Sequence, residues 1–146
     1  MTFCANFTVG GLSKKSRCVY LLTIRSVEKR WHYVGITGTS NKTGINSPYQ
    51  RLAKHLAKVG NTSSCIWDAV CLMPKDLEHA AIFFVALPIA KDEEVKLAEK
   101  WLRWRFADKL SLNKEKPPAS EPKISAKLYE CLLSTFEKEI IKNKYS

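Results

Sequence analysis

Apolar and polar positions in the first 60 residues predict a β-hairpin followed by a helix. Residues 18–24 and 31–36 are rich in β-branched and aromatic side chains, and a mainly polar break of six residues separates them. This pattern is typical of two antiparallel strands. After a turn-rich loop, Ser47 and Pro48 suit the N-cap and the first position of a helix. Apolar residues then recur at helical spacing over 52–59, so a helix is predicted there.

The second half of the chain predicts one more strand and two more helices. Residues 80–87 form an apolar run bounded by Pro88, as in a buried strand. The acidic residues 92–94 then suit the positive end of a helix dipole, and a strongly apolar helix follows them. Beyond a proline-containing connector over 111–122, apolar residues within 124–141 fall at helical spacing. The chain is therefore predicted to end in an amphipathic helix.

These elements predict a single α+β domain with a small three-stranded antiparallel sheet flanked by helices. Residues 1–17 lack periodicity and are interpreted as a flexible arm, and a short helix is expected around 64–71. The central domain spans 18–117. Residues 118–146 form a connector and a C-terminal amphipathic helix that packs on the domain or on a partner.

The charge of the chain is concentrated at its N-terminal end. The 146 residues contain 24 Lys and Arg against 14 Asp and Glu, a net charge of +10. Residues 1–60 hold 10 basic and one acidic residue, whereas residues 61–146 hold 14 basic and 13 acidic ones, so the two parts carry +9 and +1. Such an excess favours a polyanionic partner, most often nucleic acid.

Several other classes of protein are disfavoured by the sequence. The longest apolar run, 80–90, contains a proline and reaches about half of the ~20 residues that a membrane helix needs. The N-terminal residues lack the order of a secretory signal. The five cysteines have no CxxC spacing, so neither a disulfide framework nor structural zinc is expected. An intracellular, cytoplasmic protein without a membrane partner is predicted.

Six polar side chains in the predicted elements could take part in phosphodiester chemistry if the fold brings them together. Two phenols lie near the middle of the hairpin strands, a guanidinium and an imidazole share one face of the first helix at i and i+4, a carboxylate lies inside the apolar helix, and an amide follows it. They are Tyr20, Tyr33, Arg51, His55, Glu99 and Asn113. Taken singly, each also has an ordinary structural explanation: Gly35 could simply end a strand, and Glu99 could pair with Arg103 at i+4.

The order and spacing of these residues resemble the GIY-YIG nuclease family. Cys18-Val19-Tyr20 corresponds to the first family motif and Tyr33-Val34-Gly35 to the second. The family's arginine, histidine, glutamate and asparagine are matched by Arg51, His55, Glu99 and Asn113. The resemblance covers about residues 18–117.

The resemblance implies hydrolysis of DNA with one divalent cation, Mg²⁺ or Mn²⁺. In that interpretation Glu99 binds the metal and Arg51 donates hydrogen bonds to the phosphate. Tyr20 is a candidate general base if the metal and nearby cations lower its pKa. Tyr33 and His55 position water or relay the proton, with the two roles left open, and Asn113 orients the site or anchors its loop.

We expect a compact, stand-alone endonuclease of restriction, mobile-element or phage type, because little of the chain lies outside the matched region. The loop 37–47 is expected to contact DNA, and a homodimer is one way to cut both strands. The residues expected to contact DNA are Lys42, Arg51, Lys54 and Lys58. Two alternatives are a basic nucleic-acid-binding module without catalysis and a regulatory domain that docks on another protein through its C-terminal helix.

Overall fold

A computed structural model describes residues 4–6, 17–26, 29–38, 47–56 and 81–141. Three sequence-based expectations lie outside these residues: the short helix at 64–71, and the DNA contacts of Lys42 and Lys58. Most of the 37–47 loop lies outside them as well.

The sheet is built around strand β2 (Cys18–Arg25), which is hydrogen-bonded on both sides. Strand β3 (Arg30–Thr37) pairs antiparallel with β2 along its whole length, and strand β4 (Ala81–Pro88) pairs antiparallel with its other edge. The predicted hairpin, the predicted third strand and the α+β class are therefore confirmed. The start of β2 is as predicted, and each of the other strand ends differs from its predicted position by one residue.

The sheet also has a fourth strand that the sequence pattern did not predict. Strand β1 (Cys4–Asn6) pairs parallel with β4, and the strand order is β1-β4-β2-β3. The sheet therefore has four strands instead of the expected three. Residues 4–6, which were interpreted as part of a flexible arm, form the additional strand. A three-residue strand is too short to show hydrophobic alternation, and its pairing depends on backbone hydrogen bonds that no side-chain pattern reveals.

Both faces of the sheet are covered, which explains why β2 is apolar at nearly every position. Tyr20 and Leu22 point to one face, against Leu52 of helix α1 (Pro48–Leu56). Val19 and Leu21 point to the other face, against helix α2 (Asp92–Arg105) and the C-terminal helical segment. We call these the α1 face and the α2 face.

The α2 face holds the larger core. Helix α2 buries four side chains against the sheet: Val95, Ala98, Trp101 and Leu102. Trp101 is the largest of these side chains and is 1% exposed. Its indole Nε1 donates to Glu121 Oε1 at 3.2 Å, which fixes the connector to the helix.

The C-terminal segment is helical but interrupted. Helix α3 (Ala126–Leu132) begins after Ser125, whose hydroxyl accepts the Leu128 N–H at 3.2 Å. A π-helical turn (Leu133–Glu137) joins it to helix α4 (Lys138–Ile141). Leu132, Phe136 and Ile140 are buried in the core on the α2 face. In the part of the chain that the structure describes, no helix combines the length and apolar character needed to span a membrane.

Candidate active site

The hairpin places Tyr20 and Tyr33 on the α1 face as diagonal neighbours. Tyr20 is opposite Gly35 in the register of β2 and β3, and Tyr33 lies two residues before Gly35 on the same strand. Side chains two residues apart on a strand share a face. The two phenol rings are tilted by 40° with their centroids 6.1 Å apart.

Gly35 is the surface against which both rings pack. A Cβ atom at this position would lie 2.6 Å from Tyr20 Cζ and 2.8 Å from Tyr33 Cε1, closer than real Cβ atoms approach other heavy atoms. Strand β3 continues past Gly35 to Thr37, so the glycine does not end the strand. The missing side chain is what lets the two rings lie over β3.

A reciprocal cap fixes the start of helix α1. The Ser47 N–H donates to Gln50 Oε1 at 2.9 Å, and the Gln50 N–H donates to Ser47 Oγ at 3.2 Å. This is a capping box. It confirms the predicted N-cap at Ser47 and fixes the start of the helix that carries Arg51 and His55.

Arg51, Tyr20 and His55 form one hydrogen-bonded chain. Arg51 Nε donates to Tyr20 Oη at 3.2 Å, and Tyr20 Oη lies 2.7 Å from His55 Nε2. Tyr20 is 0% exposed and His55 is 5% exposed. Phe84 of β4 stacks on the Tyr20 ring with centroids 5.0 Å apart, so the phenol is held on its face as well as at its hydroxyl.

The protonation states define which groups donate and which accept in this series of hydrogen bonds. Burial, assisted by the positive charge of Arg51, lowers the pKa of His55 to about 4. The imidazole is then neutral at pH 7, and its Nε2 can accept the Tyr20 proton. Burial alone lowers the pKa of Arg51, but attraction to the two phenols and hydrogen bonds with them outweigh it, so the pKa lies above its usual value. Arg51 therefore stays charged beside Tyr20.

Tyr33 completes the cluster at its more open side. Its ring meets the His55 ring edge-on at a centroid distance of 5.3 Å, and its hydroxyl is hydrogen-bonded to Arg51. Tyr33 is half-buried, whereas Tyr20 is fully buried. The structure thus brings together four of the predicted side chains, with Arg51 contacting both phenols.

Glu99 lies on helix α2 and is not hydrogen-bonded to this cluster. Burial raises the pKa of Glu99, Glu115 raises it further, and Arg103, Lys100 and Arg51 lower it. The carboxylate is thus within the electrostatic range of Arg51. Across the described ranges, no hydrogen bond or ion pair engages Glu99. The alternative pairing of Glu99 with Arg103 is not formed as an ion pair, because the guanidinium binds Glu115 instead.

A single Mg²⁺ or Mn²⁺ fits Glu99 better than it fits the glutamates in the first turn of helix α2. Glu93 is exposed, and Glu94 lies 3.8 Å from Lys91 in an ion pair. Within the segments described, no three His, Cys, Asp or Glu side chains are grouped to hold a metal. Mg²⁺ is commonly held by one or two carboxylates, with waters and substrate phosphate completing the shell. A half-buried carboxylate without a protein partner is compatible with that donor set.

Asn113 acts on the backbone of β3. Its Oδ1 accepts the Val34 N–H at 2.9 Å, and its Nδ2 donates to the Val34 carbonyl at 2.9 Å. Leu112 N–H donates to the His32 carbonyl at 3.1 Å on the same strand. Of the two roles considered from the sequence, the structure places Asn113 as an anchor between Tyr33 and Gly35 rather than in contact with the Tyr20 hydroxyl.

The outer surface of helix α1 carries one of the predicted DNA contacts. Lys54 is exposed and lies one turn beyond Arg51. The sequence did not predict the stacking of Phe84 on Tyr20 or the Arg103–Glu115 pair, since a residue pattern does not show which strand or connector residue meets a given side chain.

The cluster can hold an anion and move a proton over a short path. A fixed guanidinium supplies positive charge for a phosphate, and a phenol in contact with a neutral imidazole supplies a proton-transfer pair.

A scan against models of protein families, a search of curated proteins and a search of solved structures found no match to this chain.

Proposed function

We propose that this chain is a metal-dependent DNA endonuclease of the GIY-YIG type, acting as a compact, stand-alone phosphodiester hydrolase. One observation carries the proposal: Arg51 donates to the Tyr20 hydroxyl, which lies 2.7 Å from the neutral His55 imidazole. The residue types and their order along the chain resemble the family, and the convergence of Tyr20, Tyr33, Arg51 and His55 on the α1 face supports a shared role for these four.

Arg51 is proposed to bind the scissile phosphate. Its charge is permanent at physiological pH, and its planar donors suit phosphate oxygens. Negative charge builds up on those oxygens as water attacks, so a positioned guanidinium stabilises the transition state more than the ground state. Its hydrogen bonds with Tyr20 and Tyr33 keep the guanidinium in place before DNA arrives.

The phenols and His55 are proposed to handle the proton of the attacking water. An unperturbed tyrosine has a pKa of about 10, so a phenol acts as a base at pH 7 only when cations stabilise the phenolate. Arg51 provides such a charge, and neutral His55 accepts a proton from Tyr20. Because Tyr33 is the more exposed phenol, the attacking water is proposed to be held beside Tyr33. Tyr20 takes up one proton of this water while its own proton passes to His55 Nε2, which later releases it to solvent. The water oxygen bonds to phosphorus as the bond to the leaving oxygen breaks, and the leaving oxygen takes a proton from solvent.

Glu99 is proposed to hold Mg²⁺ or Mn²⁺. When bound, such an ion polarises the phosphate and stabilises the leaving oxygen. Lys54 is proposed to contact the DNA backbone beside the site, together with Lys42 and Lys58. The protein is further proposed to act inside the cell, as expected for a restriction, mobile-element or phage enzyme, with a homodimer as one route to double-strand cleavage.

A nucleic-acid-binding module without catalysis is the second candidate function. Complete burial of Tyr20 and 5% exposure of His55 favour it, because the two groups offer almost no surface to an attacking water. A protein-docking domain has less support, since the apolar face of the C-terminal segment packs on the chain's own core.

Nicking of supercoiled plasmid in Mg²⁺ or Mn²⁺ tests the proposal. The wild type is expected to nick, Glu99→Ala is expected to be inactive, and Glu93→Ala, a matched change near the start of the same helix, is expected to nick like the wild type. A wild type that binds DNA but never nicks would support the binding module instead. Equal nicking by Glu99→Ala would remove Glu99 as the metal ligand.

A further inference from the structure

Arg103 is the side chain that sequence spacing assigns to Glu99. On a helix, a glutamate and an arginine four residues later are neighbours, and this orientation favours an ion pair. Such a pair would occupy the Glu99 carboxylate and place a positive charge where a cation is proposed to bind. The availability of Glu99 therefore depends on where Arg103 points.

Among the described residues, Arg103 forms no ion pair with Glu99 and binds the connector that follows helix α2 instead. Its Nη1 donates to Glu115 Oε2 at 2.9 Å, and its Nη2 donates to the Lys116 carbonyl at 2.8 Å. The Arg103 side chain is only 11% exposed, whereas that of Glu115 is 83% exposed. Glu115 thus adds little to the core, and its carboxylate binds the Arg103 guanidinium.

The segment that carries Glu115 is fixed to the other half of the site. Two residues earlier, Asn113 makes both of its hydrogen bonds to Val34, between Tyr33 and Gly35. Residues 112–116 therefore connect strand β3, which carries a phenol, with helix α2, which carries Glu99. This anchoring limits how far Glu115 can move from Arg103.

We propose that Glu115 is a positioning residue that holds Arg103 away from Glu99 and so leaves the Glu99 carboxylate available to a divalent cation. The inference rests on the proposed function, because it takes Glu99 as the metal ligand. Burial remains the largest influence on the pKa of Glu99, while Glu115 raises that pKa and Arg103 lowers it, so both charges act on this carboxylate.

Binding of Mn²⁺ alone, followed by electron paramagnetic resonance without DNA, tests the inference on the full chain. In Glu115→Ala the guanidinium loses one acceptor and can turn toward Glu99. We expect Mn²⁺ affinity to fall roughly fivefold, the effect of one partly exposed ion pair competing for the carboxylate. In the double variant Arg103→Met/Glu115→Ala, affinity is expected to return to within about twofold of the wild type.

Glu115→Gln separates positioning from simple charge. The amide oxygen can still accept from Arg103, although the negative charge is gone. Positioning predicts that Glu115→Gln keeps most of the wild-type affinity, whereas a long-range charge effect predicts the same loss as in Glu115→Ala. Thermal unfolding of each variant checks that the fold is intact.

The outcomes distinguish this inference from the proposed function. Mn²⁺ binding that Glu99→Gln abolishes and Glu115→Ala weakens, with recovery in the double variant, supports both. Two results overturn the positioning role alone, provided that binding depends on Glu99. In the first, Glu115→Ala binds Mn²⁺ as well as the wild type does. In the second, Glu115→Ala and Glu115→Gln weaken binding equally. Wild-type binding that does not depend on Glu99 overturns both.

Discussion

Replacing Gly35 with alanine inserts a methyl group between the two phenols of the candidate site. The added Cβ would lie 2.6 Å from Tyr20 Cζ and 2.8 Å from Tyr33 Cε1. Comfortable contacts between carbon atoms are about 3.5–4.0 Å, so one or both rings must move by roughly 1 Å. Tyr20 is enclosed by Phe84 and cannot move without disturbing its hydroxyl contacts with Arg51 and His55.

The cost of Gly35→Ala has two parts. Forcing an extra carbon into a packed core typically costs about 1–3 kcal/mol, and weakening a buried hydrogen bond adds about 0.5–1.5 kcal/mol. We expect the free energy of unfolding to fall by about 2–4 kcal/mol, measured by urea denaturation at pH 7. Because the same shift displaces the Arg51 contact, any nuclease activity of the folded fraction should fall as well.

Tyr20→Phe provides the matched test of that explanation. It removes the hydroxyl that approaches the new methyl group, so Gly35→Ala should cost at least about 0.5 kcal/mol less in the Tyr20→Phe background than in the wild type. Strictly additive losses would refute the contribution of the Tyr20 hydroxyl, because the ring carbons that meet the added methyl group remain in Tyr20→Phe. A Gly35→Ala protein as stable as the wild type would refute the packing argument.

Three further predictions follow from the polar groups. Burial lowers the pKa of both His32 and His55 to about 4. Below about pH 6.5 the unfolded state therefore binds more protons than the folded state does. The free energy of unfolding should fall as the pH is lowered from about 6.5 to 4, by up to about 3 kcal/mol for each histidine. Denaturation midpoints across that range check this, and a flat profile would contradict it. Asn113→Ala should lower the free energy of unfolding by about 1–3 kcal/mol, because the Val34 amide and carbonyl lose their partner. Ser111→Ala is an exposed control and should change this free energy little. Equal stability of the two variants would contradict the anchoring role. Lys54→Ala should weaken DNA binding and reduce the slope of log affinity against log salt by about one, whereas Lys127→Ala on helix α3 should leave both unchanged; matching slopes would exclude Lys54 as a phosphate contact.

The local elements were predictable because their physical causes are local. The hairpin and the antiparallel strand β4 follow from β-branched, aromatic and apolar runs, and helix α1 follows from helical spacing and the Ser47-Pro48 start. Strand β1 and the π-helical turn were not predictable in this way. The first depends on backbone pairing with a strand far along the chain, and the second on how three buried residues of the C-terminal segment meet the sheet.

The candidate site was predictable in its membership and less so in its contacts. The sequence indicated the two phenols, Arg51 and His55, but not that Tyr20 would be fully buried with its hydroxyl between the other two. Helical spacing favoured Arg103 as the partner of Glu99. A connector residue 12 positions later takes the guanidinium instead, because tertiary contacts decide among the rotamers that a helix allows.

Plasmid nicking by Arg51→Met tests the central claim most directly, with Lys54→Met as the control on the same helix. Methionine keeps much of the aliphatic stem of Arg51 and removes the guanidinium. The claim predicts that, with Mg²⁺ or Mn²⁺ present, the wild type nicks and Lys54→Met nicks at the wild-type rate once DNA is saturating. Arg51→Met is predicted to be slower by about 100-fold or more, the usual effect of removing a transition-state charge contact. Absence of metal-dependent nicking by the wild type, or equal rates for Arg51→Met and the wild type, would contradict the claim.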